Sequence, residues 1–105
     1  MGEPHAEAAL GASMASDIVQ SLDFPDCRVV LFDWSANKDY RFENLACLNA
    51  DGSLRWMAAL PQDSGPDCFV GMALDNDQLR ANSMSGFALW LDIQTGSALK
   101  TLFTK

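Results

Sequence analysis

From Asp17 onward the chain alternates short apolar runs with clusters of Asp, Asn, Gly, Pro and Ser at close, regular intervals. This is the texture of an antiparallel meander, in which each strand is bounded by turn residues. The runs predict a weak strand over Ile18–Phe24, closed by Pro25, followed by Cys27–Trp34, Phe42–Asn49 and Ser53–Leu60. After the loop QDSGPD come Cys68–Leu74, Gln78–Ser83, Phe87–Ile93 and Ala98–Phe103. Within the second strand, Val29, Val30, Leu31 and Phe32 have no polar alternation and predict a segment buried on both faces. Turns fall at Asp51-Gly52, Asp75-Asn76-Asp77, Ser85-Gly86 and Gln94-Thr95-Gly96. Helix signals are poor in this region, so the expected fold is all-β, an antiparallel meander of about seven or eight strands.

The turns reveal an internal repeat. LACLNADGSLRWMAAL, from Leu45, aligns with ALWLDIQTGSALKTLF, from Ala88, placing Gly52 over Gly96 and Ser53 over Ser97. The period is about 44 residues, the size of one four-stranded propeller blade. Residues 1–16 read as a leader, either disordered or a short helix, and 17–105 as a single all-β domain with units at about 27–60 and 67–104.

These segments resemble the repeat of pyrroloquinoline-quinone-type β-propellers, whose pattern is Ala-x-Asp-x-x-Thr-Gly-x-x-x-Trp. WLDIQTGSALK keeps Asp92, Thr95 and Gly96, with Lys100 in the tryptophan position. ACLNADGSLRW keeps Gly52 and Trp56, with Asn49 for the Asp and a turn one residue shorter. The resemblance implies structural roles: Asp51, Gly52, Thr95 and Gly96 fix hairpins, and Trp56 docks between neighbouring units. Quinone binding is not carried over, because a propeller typically needs four to eight blades and this chain has length for about two. The two units are expected to close on each other as a sandwich or open barrel, or to assemble with further copies.

Composition narrows the chemistry. With 14 acidic and 7 basic residues the formal charge is -7, a field that repels phosphate backbones and anionic headgroups, so neither nucleic acid nor membrane is an expected partner. No stretch reaches the roughly 20 apolar residues needed to span a bilayer. Cys27, Cys47 and Cys68 are odd in number, lack a C-x-x-C pair and lie in or beside apolar runs, as buried thiols of a cytoplasmic protein do. The single histidine, His5, sits in the leader. The body of the chain therefore offers no base for a nucleophilic triad and no Cys/His set for zinc. No metal, cofactor or catalytic residue is expected. DNDQLRANS, from Asp75, starts like a calcium loop but places Leu79 at the fifth position and no glycine at the sixth, which makes it a polar hairpin turn.

What remains is recognition. In FALWLDI, alternation puts Phe87, Leu89 and Leu91 on one face and Ala88, Trp90 and Asp92 on the other. If the first face is core, Trp90 lies at a surface or an interface. Candidate contact residues are Trp90 and Trp34, with Asp63, Asp67 and Asn82 as polar rim; Asp63 and Asp67 are expected to be solvated loop carboxylates. The expected function is a non-enzymatic binding or assembly module, self-associating through sheet edges or blade faces, with a protein partner also conceivable. The alternative is a small-ligand or carbohydrate-binding domain using the same aromatics and carboxylates.

Overall fold

A computed structural model describes residues 18–33, 41–61 and 65–104. The leader, Trp34 and Asp63 lie outside the described residues. Among the described residues, eight antiparallel strands form two sheets: β1 (Ile18–Phe24), β2 (Cys27–Phe32), β4 (Leu45–Asn49) and β5 (Leu54–Met57) in one, β6 (Asp67–Asp75), β7 (Gln78–Ser83), β8 (Phe87–Leu91) and β9 (Ala98–Phe103) in the other. A two-residue β3 (Arg41–Phe42) lies parallel to the start of β6. Strand order is β1-β2-β4-β5 and β3-β6-β7-β8-β9. Both sheets are thus open meanders, packed as a sandwich rather than closed as a barrel. The first unit takes in β1 as well as the strands from Cys27 onward.

The turns follow from their residues. Pro25 and Asp26 join Phe24 to its partner Cys27, with the fixed φ of proline placed where a turn needs it. Asn76 and Asp77 connect β6 to β7 with φ of 51° and 67°, the two positive values of a type I′ hairpin, which Asn and Asp tolerate best after Gly. The repeated turns are built alike. Asn49 N–H donates to Ser53 O at 2.8 Å, and Asp92 N–H donates to Ser97 O at 2.8 Å, each loop passing through a glycine of positive φ, Gly52 at 89° and Gly96 at 77°.

The core fills the space between the sheets. Val29, Leu31, Leu45 and Cys47 of the first sheet meet Phe69, Met72, Leu79, Ala81, Leu89 and Leu91 of the second. Val30, Phe32 and Ala46 point the other way, into a smaller apolar cluster with Cys68. The run Val29–Phe32 is therefore buried on both faces, as its unbroken hydrophobicity predicts; each such side chain contributes about 1.5–3 kcal/mol of burial.

One predicted strand is divided. Phe42–Asn49 breaks at Glu43 and Asn44 because the Asn44 side chain is needed elsewhere. Fully buried, its Nδ2 donates to Phe32 O and Phe69 O, both at 2.8 Å, and its Oδ1 accepts from Phe69 N–H at 2.8 Å. Further along β6, the Gln20 carboxamide of β1 does the same for Met72, donating to its carbonyl at 2.5 Å and accepting from its N–H at 3.1 Å. A register shift between Phe69 and Gly71 turns the peptide groups of both Phe69 and Met72 away from β7. Two amide side chains, Gln20 of β1 and Asn44 just before β4, thereby satisfy the open flank of β6, a requirement for buried backbone groups.

Candidate functional site

Trp56 and Gly96 join the two units. Trp56 is 7% exposed, its Nε1–H donates to Ile93 O at 2.8 Å, and its ring lies against Gly96, where an added Cβ would stand 2.6 Å from Cδ2. Near this contact Arg55 links three turns, donating to Asn49 Oδ1 at 2.6 Å, to Asp26 Oδ2 at 3.3 Å and to Gln94 Oε1 at 3.5 Å. Asp51 stabilises its own turn, its Oδ1 accepting from Ser53 N–H at 2.9 Å and Ser53 Oγ–H at 2.6 Å. Thr95 Oγ1 accepts from Ser97 N–H at 3.2 Å. All five residues read from the sequence as structural make turn or packing contacts.

The candidate contact residues separate. Asp67 is buried, not a solvated loop carboxylate. Its Oδ1 accepts from Cys68 N–H at 2.9 Å and Ser85 N–H at 3.1 Å, and its Oδ2 accepts from Ser85 Oγ–H at 2.8 Å. The carboxylate is committed to holding the β7–β8 turn, since a buried charge without such donors would be costly. Trp90 is half-buried on the outward face of the second sheet, opposite the face of Leu89 and Leu91, as alternation predicts. It pairs with Arg80 on β7 and Lys100 on β9. Its Nε1–H donates to Asp75 Oδ2 at 2.7 Å, and Lys100 Nζ sits 4.9 Å from the ring centroid, a cation–π contact. Asn82 lies on this same face, opposite Ala88. The structure thus brings Trp90 and Asn82 to one surface and removes Asp67 from it.

β9, at the rim of this face, is the most exposed strand of the second sheet. All six of its residues are exposed, including Leu99 at 58%, Leu102 at 49% and Phe103 at 57%. Phe103 touches Phe87 with ring centroids 5.0 Å apart, and Thr104 N–H donates to Gly86 O at 2.7 Å, so the strand is docked along β8 while its far side faces outward. Its one charged residue, Lys100, leans over Trp90. Edge strands are commonly guarded by charge, proline or cover, and β9 has little of these.

Two open clefts lie at the end where the long hairpins turn. One, of about 350 Å³, is bordered by Asp23, Asp26, Arg28 and Asn49; the other, of about 320 Å³, by Phe24, Leu79, Ile93 and Leu99. Among the described residues of the predicted contact set, Trp90, Asp67 and Asn82, none lines either cleft. Among the described residues no three His, Cys, Asp or Glu side chains converge as metal ligands.

The three thiols are buried and free. Burial, together with a hydrogen bond to the Cys27 thiol, pushes Cys47 up to about 12; burial and then the charge of Asp67 push Cys68 up. Because the folded pKa of Cys47 lies above the unfolded value of 9.0, its contribution to stability is complete below about pH 9. It is lost as pH rises toward about 12, at a slope approaching 1.4 kcal/mol per pH unit. Urea titrations across that window should show Cys47→Ala losing less stability with pH than the parent chain; equal slopes would contradict this.

Sequence reasoning missed Gln20, Asn44 and Arg55. Gln20 shares its alternation face with Leu22 and Phe24, partly buried residues that pack against the core, and a polar residue on an apolar face was the available signal.

The fold and its contacts define an antiparallel two-sheet domain with a stitched interior and an open apolar edge. The chain matches the family described as "Domain of unknown function (DUF7957)" over residues 12–103, and belongs to it. Searches of curated proteins and of solved structures give no match.

Proposed function

We propose that the domain is a non-enzymatic binding or assembly module whose working surface is the β9 edge and the adjoining outward face around Trp90. The observation that carries this reading is the exposure of Leu99, Leu102 and Phe103 on an edge strand. Added strands gain backbone hydrogen bonds from such an edge and specificity from alternate side chains. Two blade-sized meanders and the Trp56–Gly96 contact support the likeness to propeller units, which stack side by side, and three reduced thiols suit a cytoplasmic setting. The carbohydrate-binding reading is weaker: Lys100 occupies the Trp90 ring face, and Asp67 is internal.

Hydrogen–deuterium exchange tests the proposal. Amides of β9 should exchange fast in dilute solution and slow as concentration rises, with strands such as β7 unaffected. A β9 exchange rate independent of concentration would overturn self-association through this edge.

A further inference from the structure

Resting on that reading, we infer that the preferred occupant of the β9 edge is an extended segment of a partner protein with two adjacent apolar residues and a glutamate two positions after the second. The backbone decides which residues of β9 meet it. Lys100 stands opposite Trp90 and Leu102 opposite Ala88, and Thr104 N–H donates to Gly86 O. Thr104, Leu102 and Lys100 therefore share one parity and direct their backbone groups to β8, whereas Thr101 and Phe103 direct theirs outward, toward an added strand.

Laid antiparallel, the segment bonds Thr101 and Phe103. Its side chains beside Lys100 and Leu102 then occupy non-hydrogen-bonded positions, where facing side chains come closest. Leu102 and, on the opposite face, Phe103 are about half exposed and call for apolar neighbours. Lys100 calls for an acid. It and Arg80 are cations of the outward face, on the strands either side of Trp90, and neither has an ion pair among the described residues. Asp75 turns its carboxylate to Trp90 Nε1 instead. Because Lys100 Nζ is drawn back over the Trp90 ring, the longer glutamate reaches it better than aspartate does.

A second copy of the chain leaves this lysine uncompensated. The terminal strands β3, β5 and β9 have no acidic residue. β1 has Asp23 alone, already ion-paired with Arg28 at 2.7 Å. Phe24 pairs with Cys27 across a two-residue turn, so Asp23 directs its backbone groups outward. Paired strands set such residues against each other, and Asp23 cannot stand opposite Lys100, whose groups face β8. The acid therefore comes from another protein, whose segment displaces self-association at this edge.

The probe is the end-blocked peptide Ser-Val-Leu-Thr-Glu-Val-Ser, with two companions carrying Gln or Lys in place of Glu, titrated into the full chain and followed by amide NMR and hydrogen exchange. The glutamate peptide should protect the amides of Thr101 and Phe103 and lower the mass of the self-associated species. The glutamine peptide should bind about 2–5-fold more weakly, a gap that closes as salt is raised. Lys100→Glu, at an exposed position, should reverse the preference and favour the lysine peptide. If the three peptides bind the parent chain equally, or Lys100→Glu leaves their order unchanged, the inference fails and the β9 edge stands as a binding surface. Protection at β1 or β5 instead of β9 would likewise overturn it. If no peptide binds while the parent chain self-associates through β9, the inference fails and the proposed function stands; if no peptide binds and the parent chain is monomeric at every concentration, both fail.

Discussion

Gly96→Ala is expected to lower stability by about 2–4 kcal/mol, a large fraction of the 5–15 kcal/mol typical of a domain. Two costs combine. Gly96 has φ of 77°, where a side chain adds about 1–2 kcal/mol, and the new methyl would stand 2.6 Å from the Trp56 ring. The ring cannot retreat cheaply, because Nε1 is held by Ile93 O and overpacking costs about 1–3 kcal/mol more. Gly52→Ala provides the control. Its φ is similar, 89°, but nothing lies within 4 Å of the added atom, so only the backbone cost of about 1 kcal/mol applies. Urea unfolding followed by tryptophan fluorescence measures both. Equal losses at the two glycines would mean that the Trp56 contact contributes nothing.

Asn44→Ala should be at least as damaging, about 4 kcal/mol or more. It leaves the carbonyl of Phe32 and both peptide groups of Phe69 without the partner that Asn44 gives them, and each buried polar group left unsatisfied costs about 1–3 kcal/mol. Asn44→Asp should not rescue the loss, since a carboxylate cannot donate to two carbonyls and adds a buried charge. Gln20→Ala, at a partly buried site with two backbone groups of Met72 at stake rather than three, should cost less. Thermal melts would order the three, and an Asn44→Ala melt matching that of the parent chain would contradict the role assigned to this side chain.

Most of the strand pattern was legible because period-two alternation and turn residues are local signals. Gln78–Ser83 and Ala98–Phe103 agree residue for residue with the sequence expectation, and Trp90 lies on the face that alternation assigned to it. The break at Asn44 was not legible, because the partners that require it, Phe32 and Phe69, are 12 and 25 residues away. Asp67 was misjudged for a related reason. Beside glycine and proline it looked like a loop carboxylate, yet Ser85, 18 residues on, supplies the donors that allow its burial. Exposure of the β9 edge depends on strand order, which the sequence left open.

The central claim is that β9 is an assembly surface, and the solution mass across a dilution series tests it most directly. Sedimentation of the parent chain should give a mass above 11.4 kDa that increases with concentration, while Leu102→Lys stays at the monomer value throughout. A parent chain that remains at 11.4 kDa at every concentration, or a Leu102→Lys variant that assembles equally well, would contradict the account.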